Sequence, residues 1–196
     1  MSFLRELQKR KQTLKETETV VTKVDGQRFV EKAGNKEIAS LAPSHGFVVD
    51  TKPDNIPAEV INHLFIGSQD CTATDVLITH KIRHVLSIGI DIDNCDVDHK
   101  FVECLDLPET DINSTLRIAL PYINDAIIKQ ENILVHCNAG VSRTSMVAIA
   151  YLMLYKNMSY QDAYATVKEK RPAIRPNDGF TKQLKLLVDF NKKTDN

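Results

Sequence analysis

The stretch that most constrains this chain is Ile133-Leu134-Val135-His136-Cys137-Asn138-Ala139-Gly140-Val141-Ser142-Arg143-Thr144-Ser145. The apolar run from Ile133 to Val135, with its β-branched residues, predicts a buried strand. From Thr144 an apolar segment carrying Ala and Met continues to Tyr155, long enough for a helix. Small residues around Gly140 join the two, so strand passes to helix through a tight loop. Such a loop can curl with successive main-chain N–H groups pointing inward. That concavity, at a helix N-terminus, is an anion site that fits a phosphate. Cys137 stands at its floor and Arg143 at its rim.

The chemistry follows from this placement. A thiol attacks as thiolate, and inward N–H dipoles, a helix N-terminus and a guanidinium all favour the charged sulfur. Arg143 can hold two phosphate oxygens bidentately, a geometry that Lys does not offer. Gly140 permits a positive φ and a close approach of backbone to ligand. Thr144 brings a hydroxyl to the start of the helix, within reach of the sulfur, where it can assist the thiolate as leaving group. The plainer alternative is an inert buried Cys ahead of a helix cap at Ser142 or Thr144. It needs neither Arg143 nor Gly140.

The rest of the chain sets bounds. Its 196 residues suit one domain plus an appendage. A net charge of −1 gives no electrostatic footprint for nucleic acid or a membrane surface. No run of apolar residues reaches membrane-spanning length, and Met1-Ser2-Phe3-Leu4-Arg5-Glu6 does not read as a signal peptide. Cys71, Cys95, Cys104 and Cys137 show neither metal-ligand nor disulfide-framework spacing. A reducing, intracellular compartment and no metal are the expectation.

Read in order, Ser2 to Leu14 predicts a short basic helix. Thr19 to Val24 and Gln27 to Val30 flank Asp25-Gly26 and predict a hairpin. Gly34 to Pro57 reads as a linker with a strand at Phe47-Val48-Val49. Strands are then predicted at Leu64-Ile66, His84-Ile88, Phe101-Leu105 and Ile133-Val135. Helices are predicted at Ala73-His80, Ser114-Gln130 (bent by Pro121), Thr144-Tyr155, Ser159-Lys170 and Asp178-Phe190. This alternation predicts an α/β fold, a central mainly parallel twisted sheet of about five strands flanked by helices. Residues 1–52 read as an N-terminal helix, hairpin and linker extension, and 53–193 as one compact domain by size.

Sites in such sheets gather at the carboxyl ends of the strands. Asp106, in Asp106-Leu107-Pro108-Glu109-Thr110, lies beyond one strand as Cys137 lies beyond another. Position leaves it open between a general acid and an ordinary turn residue. Asp111 reads as a helix-start residue. Asp91, Asp93, Asp96 and Asp98 read as a solvated acidic loop. His136 is either a hydrogen-bonding partner of the loop or a structural histidine beneath it. Ser142 can add a loop-stabilising hydrogen bond, and Asn177 either buttresses the loop or caps a helix.

His136-Cys137-Asn138-Ala139-Gly140-Val141-Ser142-Arg143-Thr144 resembles the signature loop of the cysteine-dependent protein tyrosine phosphatase superfamily. With Leu64-Phe65-Ile66-Gly67-Ser68, Leu105-Asp106-Leu107-Pro108-Glu109-Thr110-Asp111-Ile112 and Arg171-Pro172 through Pro176-Asn177-Asp178-Gly179-Phe180, the chain resembles the small, atypical dual-specificity phosphatases. The resemblance implies a nucleophilic Cys137 forming a phosphocysteine, Asp106 as general acid and then base, and Thr144 assisting the sulfur. Arg143 and the N–H groups of Asn138, Ala139, Gly140, Val141, Ser142 and Arg143 would bind the phosphoryl oxygens, with His136 and Asn177 behind them. It implies no cofactor. Its expected partners are phosphorylated proteins, among them MAP kinases or their upstream kinases, in the cytoplasm or also the nucleus. Two other readings remain: a catalytically weak scaffold binding kinases, and a phosphatase for a non-protein phosphomonoester. The uncharged Asn138, Ala139, Val141 and Ser142 count against a polyanionic substrate.

Overall fold

The computed structural model describes residues 18–22, 28–32, 35–41, 53–92 and 96–191. The chain divides into two compact units, residues 1–45 and 46–196.

In the first unit, β1 (Glu18–Thr22), β2 (Arg28–Lys32) and β3 (Asn35–Leu41) form an antiparallel sheet in that order. The expected hairpin is present, with Val20 opposite Val30. Its Asp25-Gly26 turn lies outside the described residues, as do the helix expected over Ser2–Leu14 and the strand expected over Phe47–Val49. Strand β3 corrects the expected linker. Asn35–Leu41 has little strand propensity of its own, and the free edge of β2 supplies the pairing that propensity lacks.

The second unit runs β4 (Ala58–Ile61), β5 (Leu64–Gly67), a 3-10 turn (Gln69–Thr72), α1 (Thr74–Thr79), β6 (Ile82–Ile88) and β7 (Asp98–Val102). It continues with α2 (Ile112–Ile128), β8 (Asn132–His136), α3 (Arg143–Tyr155), α4 (Tyr160–Lys170) and α5 (Asp178–Asn191). The five strands lie in the order β4-β5-β8-β6-β7. Only β4 runs antiparallel to its neighbour; the other pairings are parallel. The expected α/β fold with a mainly parallel five-stranded sheet is therefore observed. Strand β4, at the end of the expected linker, is an addition.

Alternation along the central strands sorts the core into two layers. Leu64, Ile66, Leu86, Ile88, Ile133 and Val135 face α2 to α5 and form the larger core. Phe65, Val85 and Leu134 face the other way, onto Val76 and Leu77 of α1. Helix α3 is buried all round from Thr144 to Met153, as a helix packed between a sheet and further helices must be.

One boundary matters for the site. The strand expected over Phe101–Leu105 is observed three residues earlier, because pairing with β6 outweighs the polar character of Asp98-His99-Lys100. Cys104, Leu105 and Asp106 thus leave the sheet and belong to the loop before α2. That loop ends where Asp111 accepts a hydrogen bond from Asn113 N as the cap of α2, the helix-start role expected for it.

Candidate active site

The loop between β8 and α3 is built from its carbonyls outward. Asn138 O accepts from Gln69 N at 2.9 Å, and Ala139 O and Gly140 O accept from Arg171 Nη2 and Nε at 3.1 and 2.9 Å. Val141 O accepts from Arg175 N at 2.9 Å, and Ser142 O from Met146 N at 3.0 Å. A planar trans peptide points its C=O and the following N–H in opposite directions. With these successive carbonyls taken up by surrounding elements, the N–H groups of Ala139 to Arg143 are turned to the inside of the curl. Gly140, at φ 67°, makes the turn possible, and a side chain there would also strike the main chain of Gly67.

Cys137 opens this loop and is 1% exposed. Arg143, the first residue of α3, donates from Nη1 to Ile88 O at 3.3 Å. Arg143 Nε and the Thr144 hydroxyl are buried without a hydrogen-bond partner among the described residues. Both remain able to bond a group held inside the loop.

Asp106 reaches the same place from the loop that follows β7, the edge strand two places from β8 in the sheet. Its Oδ1 accepts from Ser142 Oγ at 2.6 Å and from Asn177 Nδ2 at 2.8 Å, and its Oδ2 lies 3.8 Å from Arg143 Nε. Helix α5 seats the segment that follows. Gly179 packs so closely on Pro108 that any side chain there would collide with the Pro108 main chain. Gln183 donates to Thr110 O at 2.8 Å and accepts from Ile112 N at 3.1 Å. The two roles left open for Asn177 coexist: its Oδ1 caps α5 through Phe180 N at 2.9 Å while its amide holds Asp106.

His136 is fully buried beneath the loop, with Nε2 2.6 Å from Ser87 Oγ. Burial pulls its pKa down to about 4, so the ring is neutral at pH 7. Burial also pushes the thiols of Cys71 and Cys104 up from their ordinary value, which leaves them poor nucleophiles.

Two contributors went unassigned in the sequence. Arg171, in addition to its bonds to Ala139 O and Gly140 O, donates to both carboxylate oxygens of Asp54, at 3.3 and 2.8 Å. It clamps the back of the loop to the segment ahead of β4. In the sequence Arg171 stands out only as the head of the Arg171-Pro172 stretch that carries the family resemblance, and nothing local connects it to Asp54.

The family model for the dual specificity phosphatase catalytic domain matches residues 64–189. The chain is 33% identical over 177 residues to dual specificity protein phosphatase 19 of Mus musculus, covering 85% of this chain and 80% of that protein. It is 32% identical over 224 residues to a probable dual specificity protein phosphatase of Dictyostelium discoideum, covering 95% and 97% of the two chains. The crystal structure of DUSP15 superimposes with a TM-score of 0.65 at 28% identity, covering 69% of this chain and 88% of that one.

Proposed function

The chain belongs to the dual specificity phosphatase family and is a dual-specificity protein phosphatase, and from that premise we propose that it works through a phosphocysteine on Cys137. The observation that carries this reading is the run of outward-bonded carbonyls from Asn138 to Ser142, which leaves a ring of N–H groups between Cys137, Arg143 and Asp106.

In the first step the Cys137 thiolate attacks phosphorus, and the bond from phosphorus to the substrate oxygen breaks. Asp106, as the acid, gives its proton to that leaving oxygen. The N–H groups and the Arg143 guanidinium hold the phosphoryl oxygens as charge builds. In the second step Asp106, now a carboxylate, takes a proton from water, and the resulting oxygen attacks phosphorus. The sulfur leaves as thiolate, assisted by the Thr144 hydroxyl, and inorganic phosphate is released. One difficult displacement becomes two easier ones.

The substrate we propose is a phosphotyrosine or phosphoserine/phosphothreonine in a protein of MAP-kinase-type signalling, in the cytoplasm or also the nucleus. The loop positions Asn138, Ala139, Val141 and Ser142 carry no charge to meet a second phosphate. Leu105 and Leu107, 59% and 40% exposed, flank Asp106 and offer an apolar rim to the peptide around the phosphorylated residue. Residues 53–193 are proposed as the catalytic domain, and 1–52 as an extension outside the chemistry.

The test is hydrolysis of an aryl phosphate. Cys137→Ser should abolish it, and Asp106→Ala should lower kcat by about 10²- to 10⁴-fold with little change in KM. Acid-quenched parent enzyme should carry phosphate on Cys137. An unphosphorylated Cys137, or an Asp106→Ala variant with parental turnover, would reject the mechanism. Asp106→Ala used as a trap should then retrieve the phosphoprotein substrate.

A further inference from the structure

The smaller face of the sheet carries a polar row that the mechanism leaves unused. Ser87 of β6 and His136 of β8 are cross-strand partners. Ser87 Oγ lies 2.6 Å from His136 Nε2 and 2.8 Å from His99 Nε2, on β7. The same His99 nitrogen lies 3.5 Å from Asp91 Oδ1. Ser87 and His136 are fully buried, whereas the His99 side chain is 22% exposed. Three adjacent strands thus line up a carboxylate, a surface imidazole, a buried hydroxyl and a buried imidazole. The residue after that last imidazole is Cys137.

Counting protons gives the row a direction. A hydroxyl has one proton to donate. The buried His136 ring is neutral at pH 7 and so carries one N–H. In one arrangement His99 Nε2–H donates to Ser87 and Ser87 donates to His136 Nε2. The ring proton of His136 then sits on Nδ1, which is buried without a hydrogen-bond partner among the described residues. In the reverse arrangement Nε2 of His99 would have to be bare. The Asp91 carboxylate faces that nitrogen, and an acceptor there favours a proton on it. The first arrangement wins.

We propose that His99 is a positioning residue, acting through Ser87 to set the tautomer of His136 and thereby the reactivity of the neighbouring Cys137. This rests on the phosphatase reading of the site. Among the described residues the charged surroundings are few. Asp91 faces His99, and Arg143 acts on His136 from the loop side. Asp98 and Lys100, beside His99 on β7, turn to the opposite face, where Asp98 bonds His84 and Lys100 lies over the Tyr122 ring.

The test compares His99→Leu, His99→Gln and Ser87→Ala by the rate at which iodoacetamide alkylates Cys137 and by the pH profile of kcat/KM. Glutamine keeps an N–H near the lost Nε2; leucine does not. His99→Leu and Ser87→Ala should each slow alkylation at neutral pH by about threefold or more and move the acid limb of the profile to higher pH. His99→Gln should restore both. His99 is partly exposed, so His99→Leu carries the test if Ser87→Ala fails to fold. A His99→Leu variant with parental alkylation and an unmoved acid limb overturns the proposal, even if turnover falls. So does a His99→Gln variant as impaired as His99→Leu. Alkylation needs no turnover, so an inactive parent would count against the phosphatase reading while the alkylation rates still decided the role of His99.

Discussion

Asn177 donates from its side-chain amide to Asp106 Oδ1 at 2.8 Å while its own Oδ1 caps α5 through Phe180 N at 2.9 Å. One residue thus ties the candidate acid to a helix end. The two roles can be separated. Asn177→Asp keeps an oxygen for the cap, loses the donor and sets a second carboxylate against Asp106, and like charges there disfavour joint ionisation. It should lower kcat by about tenfold or more while leaving the melting temperature near the parental value. Asn177→Ala should also cost about 1 kcal/mol through the lost cap. Parental kcat in Asn177→Asp would show that the amide does not position Asp106.

Gly179 offers a second separation. A side chain there collides with the Pro108 main chain and must displace the segment after Asp106. Gly179→Ala is expected to lower kcat for an aryl phosphate while leaving the alkylation rate of Cys137 unchanged, because the loop after β8 is not touched. Equal loss of both would mean that the two loops do not move independently.

Arg171 bonds two loop carbonyls and both oxygens of Asp54. Lysine cannot reproduce that fork. Arg171→Lys should lower unfolding free energy by about 2–3 kcal/mol, read from the urea midpoint, since buried carbonyls lose their donors. Inhibition by inorganic phosphate should weaken in parallel. A variant as stable as the parent would remove Arg171 as the clamp of this loop.

His136 makes stability depend on pH in one direction. Its pKa falls from 6.5 to about 4 on burial, so the unfolded chain takes up the proton first. The stabilisation is complete above pH 6.5 and is lost as pH falls toward about 4, by at most about 3 kcal/mol. Urea unfolding of the parent and of His136→Asn through this range should converge toward the acid end. Parallel curves would place the ring in water rather than beneath the loop.

The nucleophile loop was legible because strand, glycine turn and helix follow one another within thirteen residues, from Ile133 to Ser145, and each has a local signature. The helix caps at Asp111, Ser159 and Asn177 were legible for the same reason. The strands at Asn35–Leu41 and Asp98–Val102 were less so. Their residues have weak strand character, and a neighbouring edge decided their conformation.

The amino-acid order by itself determined the chemistry on offer: a cysteine and an arginine held six positions apart around a glycine, ahead of an apolar helix. Only the folded chain decided how that chemistry is held. Asp54, Asp106 and the connection from Arg171 to Asn177 are separate segments, and the hydrogen bonds between them exist only once the sheet order and the docking of α5 have set their distances. Hydrogen bonds act over about 3 Å, and no local pattern reports a distance between residues so far apart along the chain.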